Sequence, residues 1–499
     1  MYVSLALIGL AALSADPSST PAPTPVAAQH SGVTPTWVTL GQKLSRALEQ
    51  ERFDEALALA KAMTADPGFE SFSETEKTDL QYLIGVLNLQ LGRSTAALPY
   101  LAEVAAKPDA TAEQWLMLLD GYGAAEQYDD AARTMATVAR RFPDAREALT
   151  LDYRAQFAIH PALDKDVGFD LRLALFRADW KFEHASWVWL QLIDDFIDRD
   201  RLEEARPLYA RVTDFDARVQ LFAMRRYDAL RPAGVEPDFN AMIGAQLAAE
   251  RKAASGPDAT MARRNAYMQS LYALGRYEEA VAVADAAMAA PAPAEEDIDE
   301  AVDLNWIVDG RARSLLALGR IDEGLAQERL AAERPEYGGP NFNQTISLAW
   351  SYLRNDKAAE AQRVVDTLKD RDLGKYGARR VTHVQACISQ ALGDTAAARA
   401  GVAQLGENWR DGPSDYYDAL ACIGDEDAMA AAIIEVLADP LHRKQAVSWM
   451  HIYQDIGHQT PYELAISAVY DRVKVRPEVV AAHDSVARSF TLPTIVGPY

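Results

Sequence analysis

The residues best suited to chemistry in this sequence are its histidines, cysteines and clustered acids. His442, His451 and His458 form the densest histidine group, with spacings of 9 and 7 residues. These spacings do not bring three imidazoles together within one turn of one helix face. We therefore expect surface or packed histidines here, with no metal site and no bound cofactor.

Runs of acidic residues supply the groups that general acid–base catalysis and calcium binding use. The clearest runs are Glu295-Glu296-Asp297 and Asp194-Asp195. Neither has the alternating oxygen-ligand spacing of an EF-hand loop. The sequence also holds no zinc-protease, nucleophile-elbow, Walker or dinucleotide-binding motif. We expect solvated helix faces and helix starts at these acids, and no catalytic residue.

The two cysteines allow two interpretations. Cys387 and Cys422 lie 35 residues apart, which is close to the repeat length derived below. In stacked repeats they would occupy similar places on neighbouring helices. If the protein is exported, a disulfide between them is then possible, because such bonds form in oxidising compartments. They could equally be two buried small apolar side chains. The sequence leaves the choice open.

Composition limits the classes of protein that this chain can belong to. Of its 499 residues 49% are hydrophobic and 25% are charged, which excludes a disordered or membrane-filling chain. The net charge of -23 argues against nucleic-acid binding, because phosphates are bound by Lys and Arg.

The N-terminus has the features of an export signal. Residues 2–13 are almost continuously apolar, and about 18 Å of helix is too short for a bilayer core of about 30 Å. We predict a signal peptide over 1–15 and a Pro-rich linker over 16–36, which implies a periplasmic or secreted protein. No basic residue precedes Lys43, so a core helix and a cytoplasmic location remain the alternative. No later apolar run is long enough to span a membrane.

The rest of the chain repeats a helical pattern. A short signature ends in a small residue and is clearest as GRYEEA at 275–280, ERFDEA at 51–56 and GRIDEG at 319–324. The small residues fall at 56, 97, 131, 205, 280, 324, 361 and 398, and two of the intervals are double the others. This predicts a repeat of about 34 to 40 residues with two helices per unit. Degenerate copies are expected near 150–185 and 220–260, with helices at 169–180 and 239–254.

The pattern resembles the tetratricopeptide repeat (TPR), a 34-residue helix–turn–helix. In segment 112–145, Trp115, Leu118, Tyr122, Ala131 and Pro143 fall at the spacing of that family. The resemblance to exported bacterial-type multi-repeat members implies an all-α, right-handed α-solenoid of helical hairpins. We place about 10 to 11 units, some degenerate, in residues 37–440.

After the repeats we expect a helical cap over 441–499. Helices are predicted at 442–454, 461–473 and 477–490, followed by an extended tail over 491–499. They would cover the apolar end of the stack.

The resemblance also implies a concave groove lined by the first helix of each unit. Carried onto this sequence, its groove positions are Asn265, Gln269, Tyr272, Trp306, Asp309, Arg313, Asn343, Trp350, Arg354 and His383. Aromatic and Arg side chains are favoured interface anchors, so these residues are candidates for binding an acidic group on a partner. The tryptophans can also be explained as packing between repeats.

These observations favour a non-catalytic scaffold or adaptor that binds a protein or peptide segment in the groove, with the cell envelope as its location. One alternative is a component for envelope polysaccharide assembly or carbohydrate binding, which an exposed row of aromatics would indicate. Another is an enzyme subunit with an unrecognised site. The partner's identity and the oligomeric state are left open.

Overall fold

The computed structural model describes residues 35–495 except 151, 183, 184, 233, 257, 258, 292, 294–296, 337, 338, 370 and 456. The predicted signal peptide, most of the predicted linker, and Glu295 and Glu296 lie outside the described residues. The described chain is all-α apart from one small pair of strands. Its all-α class is thereby confirmed. Across the described part, no helix combines the length and apolar character that a membrane crossing requires.

The chain forms two compact units that divide after Val212. The helices of unit 1 are α1 Pro35–Glu49, α2 Phe53–Thr64, α3 Glu74–Gln90, α4 Ser94–Ala105, α5 Ala112–Ala124, α6 Tyr128–Arg141, α7 Asp152–Ala155, α8 Lys165–Arg177, α9 Ser186–Ile197 and α10 Leu202–Tyr209. Three pairs of consecutive helices, α1–α2, α3–α4 and α5–α6, pack as antiparallel-type hairpins joined by turns of a few residues. Helix α1 already begins at Pro35, two residues inside the predicted linker, and proline suits the first position of a helix.

Unit 2 contains the remaining helices and both strands. Its helices are α11 Phe215–Ala223, α12 Phe239–Ser255, α13 Met261–Ala273, α14 Tyr277–Met288, α15 Ile298–Ala317, α16 Ile321–Glu333, α17 Asn343–Arg354, α18 Ala358–Asp366, α19 Gly374–Ala391, α20 Thr395–Glu407, α21 Pro413–Ile423, α22 Glu426–Ala438, α23 Arg443–Trp449, α24 Pro461–Lys474 and α25 Pro477–Val486. The strands are β1 Ile452–Gln454 and β2 Thr491–Ile495, which pair in parallel.

The predicted repeat signature lies at the start of the second helix of each hairpin. Its small residue is buried in every copy, because the first helix packs directly against it. The fully buried alanines are Ala56, Ala97, Ala131, Ala205, Ala280, Ala361 and Ala398. At Gly324 a Cβ would lie 2.6 Å from Leu316 Cγ on the facing helix, which leaves no room for a side chain. The predicted build from TPR-like helical hairpins is confirmed.

The turn inside each hairpin needs a residue with positive φ just before the second helix. Gly275 (φ 69°) and Gly319 (φ 75°) supply it without steric strain. In four other hairpins the position is taken by an acidic residue with φ between 53° and 57°: Glu51, Glu126, Asp200 and Asp356. The recurring backbone conformation explains why Gly is frequent but not obligatory in the signature.

The two stretches expected to hide degenerate repeats differ from each other. Residues 143–150 and 156–159 are 3-10 helices on either side of the four-residue α7, so this stretch is not a regular hairpin. The helix predicted here at 169–180 begins earlier and ends sooner, as α8 Lys165–Arg177. The predicted helix at 239–254 is present as α12.

The C-terminal prediction needs two corrections. The smaller is that the predicted helix at 477–490 ends at Val486. The predicted helix at 442–454 ends at Trp449, and residues 452–454 form β1. This strand pairs with β2 in the tail, where Ile452 faces Thr491 and Gln454 faces Ile495. The helix prediction failed here because the pairing is tertiary, between segments 39 residues apart. Residues 491–495 are extended, as β2, and the rest of the predicted tail, 496–499, lies outside the described residues.

Of the two interpretations of the cysteines, the structure shows the disulfide. Cys387 in α19 and Cys422 in α21 form a disulfide with Cα atoms 5.2 Å apart. The bond joins the first helices of two successive hairpins within unit 2.

Candidate functional site

Four first helices of unit 2 carry the predicted groove residues. Helix α13 contributes three, α15 three, α17 three and α19 one, at spacings that keep each set on one helical face. On α13 these are Asn265, Gln269 and Tyr272; on α15 they are Trp306, Asp309 and Arg313; on α17 they are Asn343, Trp350 and Arg354; on α19 it is His383. The structure brings most of them into one connected region, described next.

A side-chain network connects α13 to α15. Gln269 donates through Nε2 to Asn265 Oδ1 at 3.3 Å, and accepts at Oε1 from Arg313 Nη2 at 3.1 Å. Arg313 Nε lies 2.9 Å from Asp309 Oδ2. The guanidinium of Arg313 also lies 5.2 Å from the ring centroid of Tyr272, a cation–π distance. Arg313 is therefore held in place by neighbours from two helices.

Asp309 faces a second buried acid that the sequence did not reveal as a site residue. Glu328 lies on α16, a second helix, and is fully buried; its Oε1 accepts from Ser351 Oγ at 3.1 Å. Burial and the neighbouring Asp309 carboxylate raise the pKa of Glu328 well above its ordinary value. No sequence signal distinguishes this glutamate from the many solvated acids of the second helices.

His383 belongs to a charged cluster around Asp415. The carboxylate of Asp415 accepts from Arg379 Nε at 2.6 Å and from Arg380 Nη1 at 2.5 Å, and lies 3.1 Å from His383 Nδ1. Burial alone would raise the pKa of Asp415, but His383 and the two guanidinium groups hold it below its usual range. Burial lowers the pKa of His383 against the opposing effect of Asp415. This cluster is a structural ion network that orients α19 against α21.

Two cavities lie on this face, and three predicted groove residues, Arg313, Trp350 and Arg354, line both. The first, of about 80 Å³, is lined in part by Tyr462 and Tyr470 of α24. The second, of about 220 Å³, is lined only by residues between 306 and 380 among those described. Trp306, Asp309 and Asn343 line the second cavity and His383 lines the first.

The C-terminal segment 450–495 lies across the first helices of unit 2. The backbone N–H of His458 donates to the carbonyl of Ala317 at 2.7 Å, and that of Gly457 donates to Tyr277 Oη at 3.2 Å. Ile495 of β2 packs with Tyr272 and Tyr277 in one buried cluster. Part of the predicted groove is thus occupied by the C-terminal segment 450–495 of the same chain.

The three C-terminal histidines lie in separate surroundings. His442 is 3.4 Å from Asp439, His451 is fully buried and accepts at Nδ1 from the Phe490 N–H, and His458 packs beside Gly319. Within the described ranges, no group of three or more His, Cys, Asp or Glu side chains is arranged to hold a metal ion. Asp297, from the predicted acidic helix start, is the N-cap of α15 and accepts from the N–H of Glu300.

The tryptophans of the first helices do not share one environment. Trp350 is only 6% exposed, while Trp187 of unit 1 is 37% exposed. Trp350 packs edge-on against His383 with ring centroids 4.8 Å apart, so it acts as packing between repeats as well as a cavity wall.

No family model and no curated protein matches the chain. Solved structures that resemble it include the Cut9–Hcn1 hetero-tetramer of APC/C, at 12% identity over 89% of this chain and 92% of that chain with a TM-score of 0.29. The P58(IPK) TPR domain is 11% identical over 89% and 98%, with a TM-score of 0.20. Naa15/Naa10 bound to HypK-THB is 12% identical over 90% and 70%, with a TM-score of 0.26. Because these identities and TM-scores are low, the all-α assignment rests on the helices of this chain and not on the matched structures.

Proposed function

We propose that the chain is a non-catalytic protein-interaction scaffold of the TPR type, and that unit 2 binds an extended segment of a partner protein along its first helices. The observation that carries this proposal is that the same face already holds a polypeptide, the tail segment 450–495. Two backbone N–H groups of this segment donate to unit 2: His458 to the carbonyl of Ala317, and Gly457 to the hydroxyl of Tyr277.

The part of the face beyond the tail has the composition of an interface. Tyr376 is 58% exposed and lines the second cavity together with Trp306 and Arg354. Aromatic and Arg side chains of this kind are the usual anchors of protein interfaces. We therefore assign the partner segment to this region.

We further propose that the protein is exported and works in the periplasm or outside the cell. The disulfide between Cys387 and Cys422 supports this location, because such bonds persist in oxidising compartments and are rare in the cytosol. The apolar segment 2–13 supplies the export signal in this proposal. Sequencing the N-terminus of the mature chain tests it, and a chain that retains residues 1–15 in the cytosol contradicts it.

Site-specific photo-crosslinking in living cells tests the scaffold function. A photo-reactive amino acid at position 376 lies in the lining of the second cavity, while one at position 330 lies on the outer helix α16, where Leu330 is 44% exposed. We expect adducts from position 376 that map by mass spectrometry to one segment of one partner protein, and none from position 330. Equal labelling from both positions, or none from position 376, overturns the proposal.

A further inference from the structure

A fully buried histidine lies where the two strands of the C-terminal segment 450–495 begin. His451 directly precedes β1 and has no exposed surface. Its Nδ1 accepts from the backbone N–H of Phe490 at 3.2 Å, and the N–H of Ile452 donates to the carbonyl of Phe490 at 2.8 Å. Phe490 directly precedes β2. The imidazole of His451 is therefore part of the connection between the starts of β1 and β2.

This hydrogen bond fixes the protonation state of His451. Because Nδ1 accepts, the imidazole is the neutral form whose proton lies on Nε2. An imidazolium carries a proton on both nitrogens, so its Nδ1 would face the N–H of Phe490 as a second donor. Protonation of His451 therefore breaks the bond and places two N–H groups against each other.

The surroundings of His451 offer no compensation for a positive charge. Lys474 of α24 donates through Nζ to the carbonyl of His451, and the buried His483 of α25 is close enough for its charge to act on His451. Nε2 of His451 has no hydrogen-bond partner among the described residues. Burial, His483 and Lys474 together lower the pKa of His451 to about 4.

The other titratable and charged groups near this pair do not change that balance. Asp484 is the acid beside His483, at 3.0 Å from its Nδ1, and its side chain is 60% exposed. Arg225 opposes protonation of His483. The ring of Tyr453 lies 6.3 Å from that of His451, and burial raises the pKa of Tyr453, which keeps it neutral.

Strand β2 covers apolar side chains of unit 2. Leu492 lies in a buried cluster with residues of α11 and α12. Ile495 lies in a second cluster with Tyr272 and Tyr277, and Tyr272 is one of the predicted groove residues. Loss of the connection at Phe490 would loosen the strand that covers both clusters.

The chain just before β2 has an anchor that does not depend on His451. The guanidinium of Arg488 donates two hydrogen bonds of 2.7 Å to the carboxylate of Asp228. Arg488 holds the pKa of Asp228 below its ordinary value, so this pair stays ionised in mild acid. An opening driven by His451 therefore begins at Phe490 and leaves Arg488 in place.

We propose that His451 is a pH-sensitive switch: in mildly acidic solution, protonation of its imidazole breaks the bond to Phe490 and releases β2 from the apolar face of unit 2. The release uncovers the part of the predicted groove around Tyr272. The inference does not depend on the scaffold function, because it concerns only contacts within the chain.

The direction and size follow from proton linkage. A histidine in an opened segment titrates near its ordinary pKa of about 6.5, above its value in the closed segment. The opened form therefore binds the proton more tightly, and opening increases as the pH falls from about 7 to about 4. Between about pH 7.5 and about pH 4.5 these two pKa values give a rise of about 70-fold in the opened fraction.

Hydrogen exchange of the full-length protein, followed by mass spectrometry in dilute solution, tests the switch. The reporter is a peptide that covers 490–495, and the reference is a peptide from α18, an outer helix of the same unit. After correction for the intrinsic exchange rate, we expect opening of the reporter to rise about 70-fold from about pH 7.5 to about pH 4.5. A reporter that does not change, or that changes only as much as α18 does, overturns the inference.

Matched variants assign the effect to one histidine. His451→Asn keeps an acceptor near the position of Nδ1 but does not titrate, so we expect the pH-dependent rise to disappear. His458→Gln replaces an exposed histidine of the same segment and should retain the wild-type pH profile. A rise in His451→Asn that equals that of the wild type contradicts the switch.

A measurement on the wild-type protein decides the matter if His451→Asn does not fold. Deuterium exchange at the imidazole Cε1, read by mass spectrometry, gives the titration midpoint of each histidine. We expect His451 to titrate well below His458. Equal midpoints for His451 and His458 overturn the inference, because protonation of His451 would then carry no cost in the closed segment.

Discussion

Asp418 should make unit 2 less stable as the pH rises, and removing its charge should abolish that dependence. The side chain lies in α21, is 9% exposed, and accepts a hydrogen bond from the hydroxyl of Tyr470 in α24. Burial, with a smaller contribution from the nearby Asp415, raises the pKa of Asp418 from 3.8 to about 7, although the Tyr470 hydrogen bond acts in the opposite direction. Asp418 is therefore largely protonated in the folded chain at mildly acidic pH.

The sign and size follow from proton linkage. Between about pH 4 and pH 7 the folded state binds more protons at Asp418 than the unfolded state does, so the free energy of unfolding falls as the pH rises. At 1.36 kcal/mol per pKa unit the full loss is about 4 kcal/mol. Asp418→Asn keeps an acceptor for Tyr470 and carries no charge. It should match the wild type near pH 4 and exceed it in stability by up to about 4 kcal/mol at pH 8.

Native-state hydrogen exchange of peptides from α21 measures this difference within unit 2, without requiring both units to unfold together. Dilute protein is needed at the acidic end, because the sequence pI is near 4.8. The control is Asp471→Asn, which removes an exposed carboxyl from α24 and should leave the pH profile of the wild type unchanged. A stability difference between wild type and Asp418→Asn that stays constant from about pH 4 to about pH 8 refutes the reasoning.

Three further outcomes are expected. Denatured, unreduced protein should contain no free thiol, and replacing Cys387 and Cys422 by Ser should cost about 3.8 kcal/mol from the loop entropy of a 35-residue separation; two free thiols in the assay would contradict the pairing. Arg172→Met leaves the buried Asp195 carboxylate without its 2.7 Å partner and should destabilise unit 1 by about 3–5 kcal/mol in urea denaturation, unlike a substitution of an exposed arginine. Gly324→Ala should cost about 1–3 kcal/mol because its Cβ meets a leucine of the facing helix at 2.6 Å, and a neutral effect would mean that the hairpin relaxes.

The hairpins were predictable because their determinants are local. A small residue at the helix contact and a residue with positive φ before the second helix recur at a period that can be read directly from the sequence. Ala131 and Ala280 are fully buried where the pattern places them. Even the acidic residues that replace glycine in the turns, such as Asp356 at φ 57°, preserve the spacing of the pattern.

The features that escaped prediction depend on tertiary contacts. Strand β1 has three residues, too few for a recognisable alternation, and it exists because β2 returns beside it. Glu328 has the same local sequence context as solvated acids on other second helices. It differs from them through Asp309 of α15 and Ser351 of α17, which face it in the folded chain. The burial of Glu328 depends on residues that are distant in the sequence, so a local sequence pattern does not reveal it.

The position of the tail determines how a partner segment reaches the second cavity. Tyr462 and Tyr470 of α24 line the first cavity, but the described lining of the second comes from residues 306–380 alone. Tyr376, one of its lining residues, is 58% exposed. A partner segment can therefore reach the second cavity while the C-terminal segment 450–495 remains in place. Among the described residues, the C-terminal segment 450–495 contributes nothing to the lining of this cavity. We therefore expect binding there to leave the pairing of β1 with β2 intact.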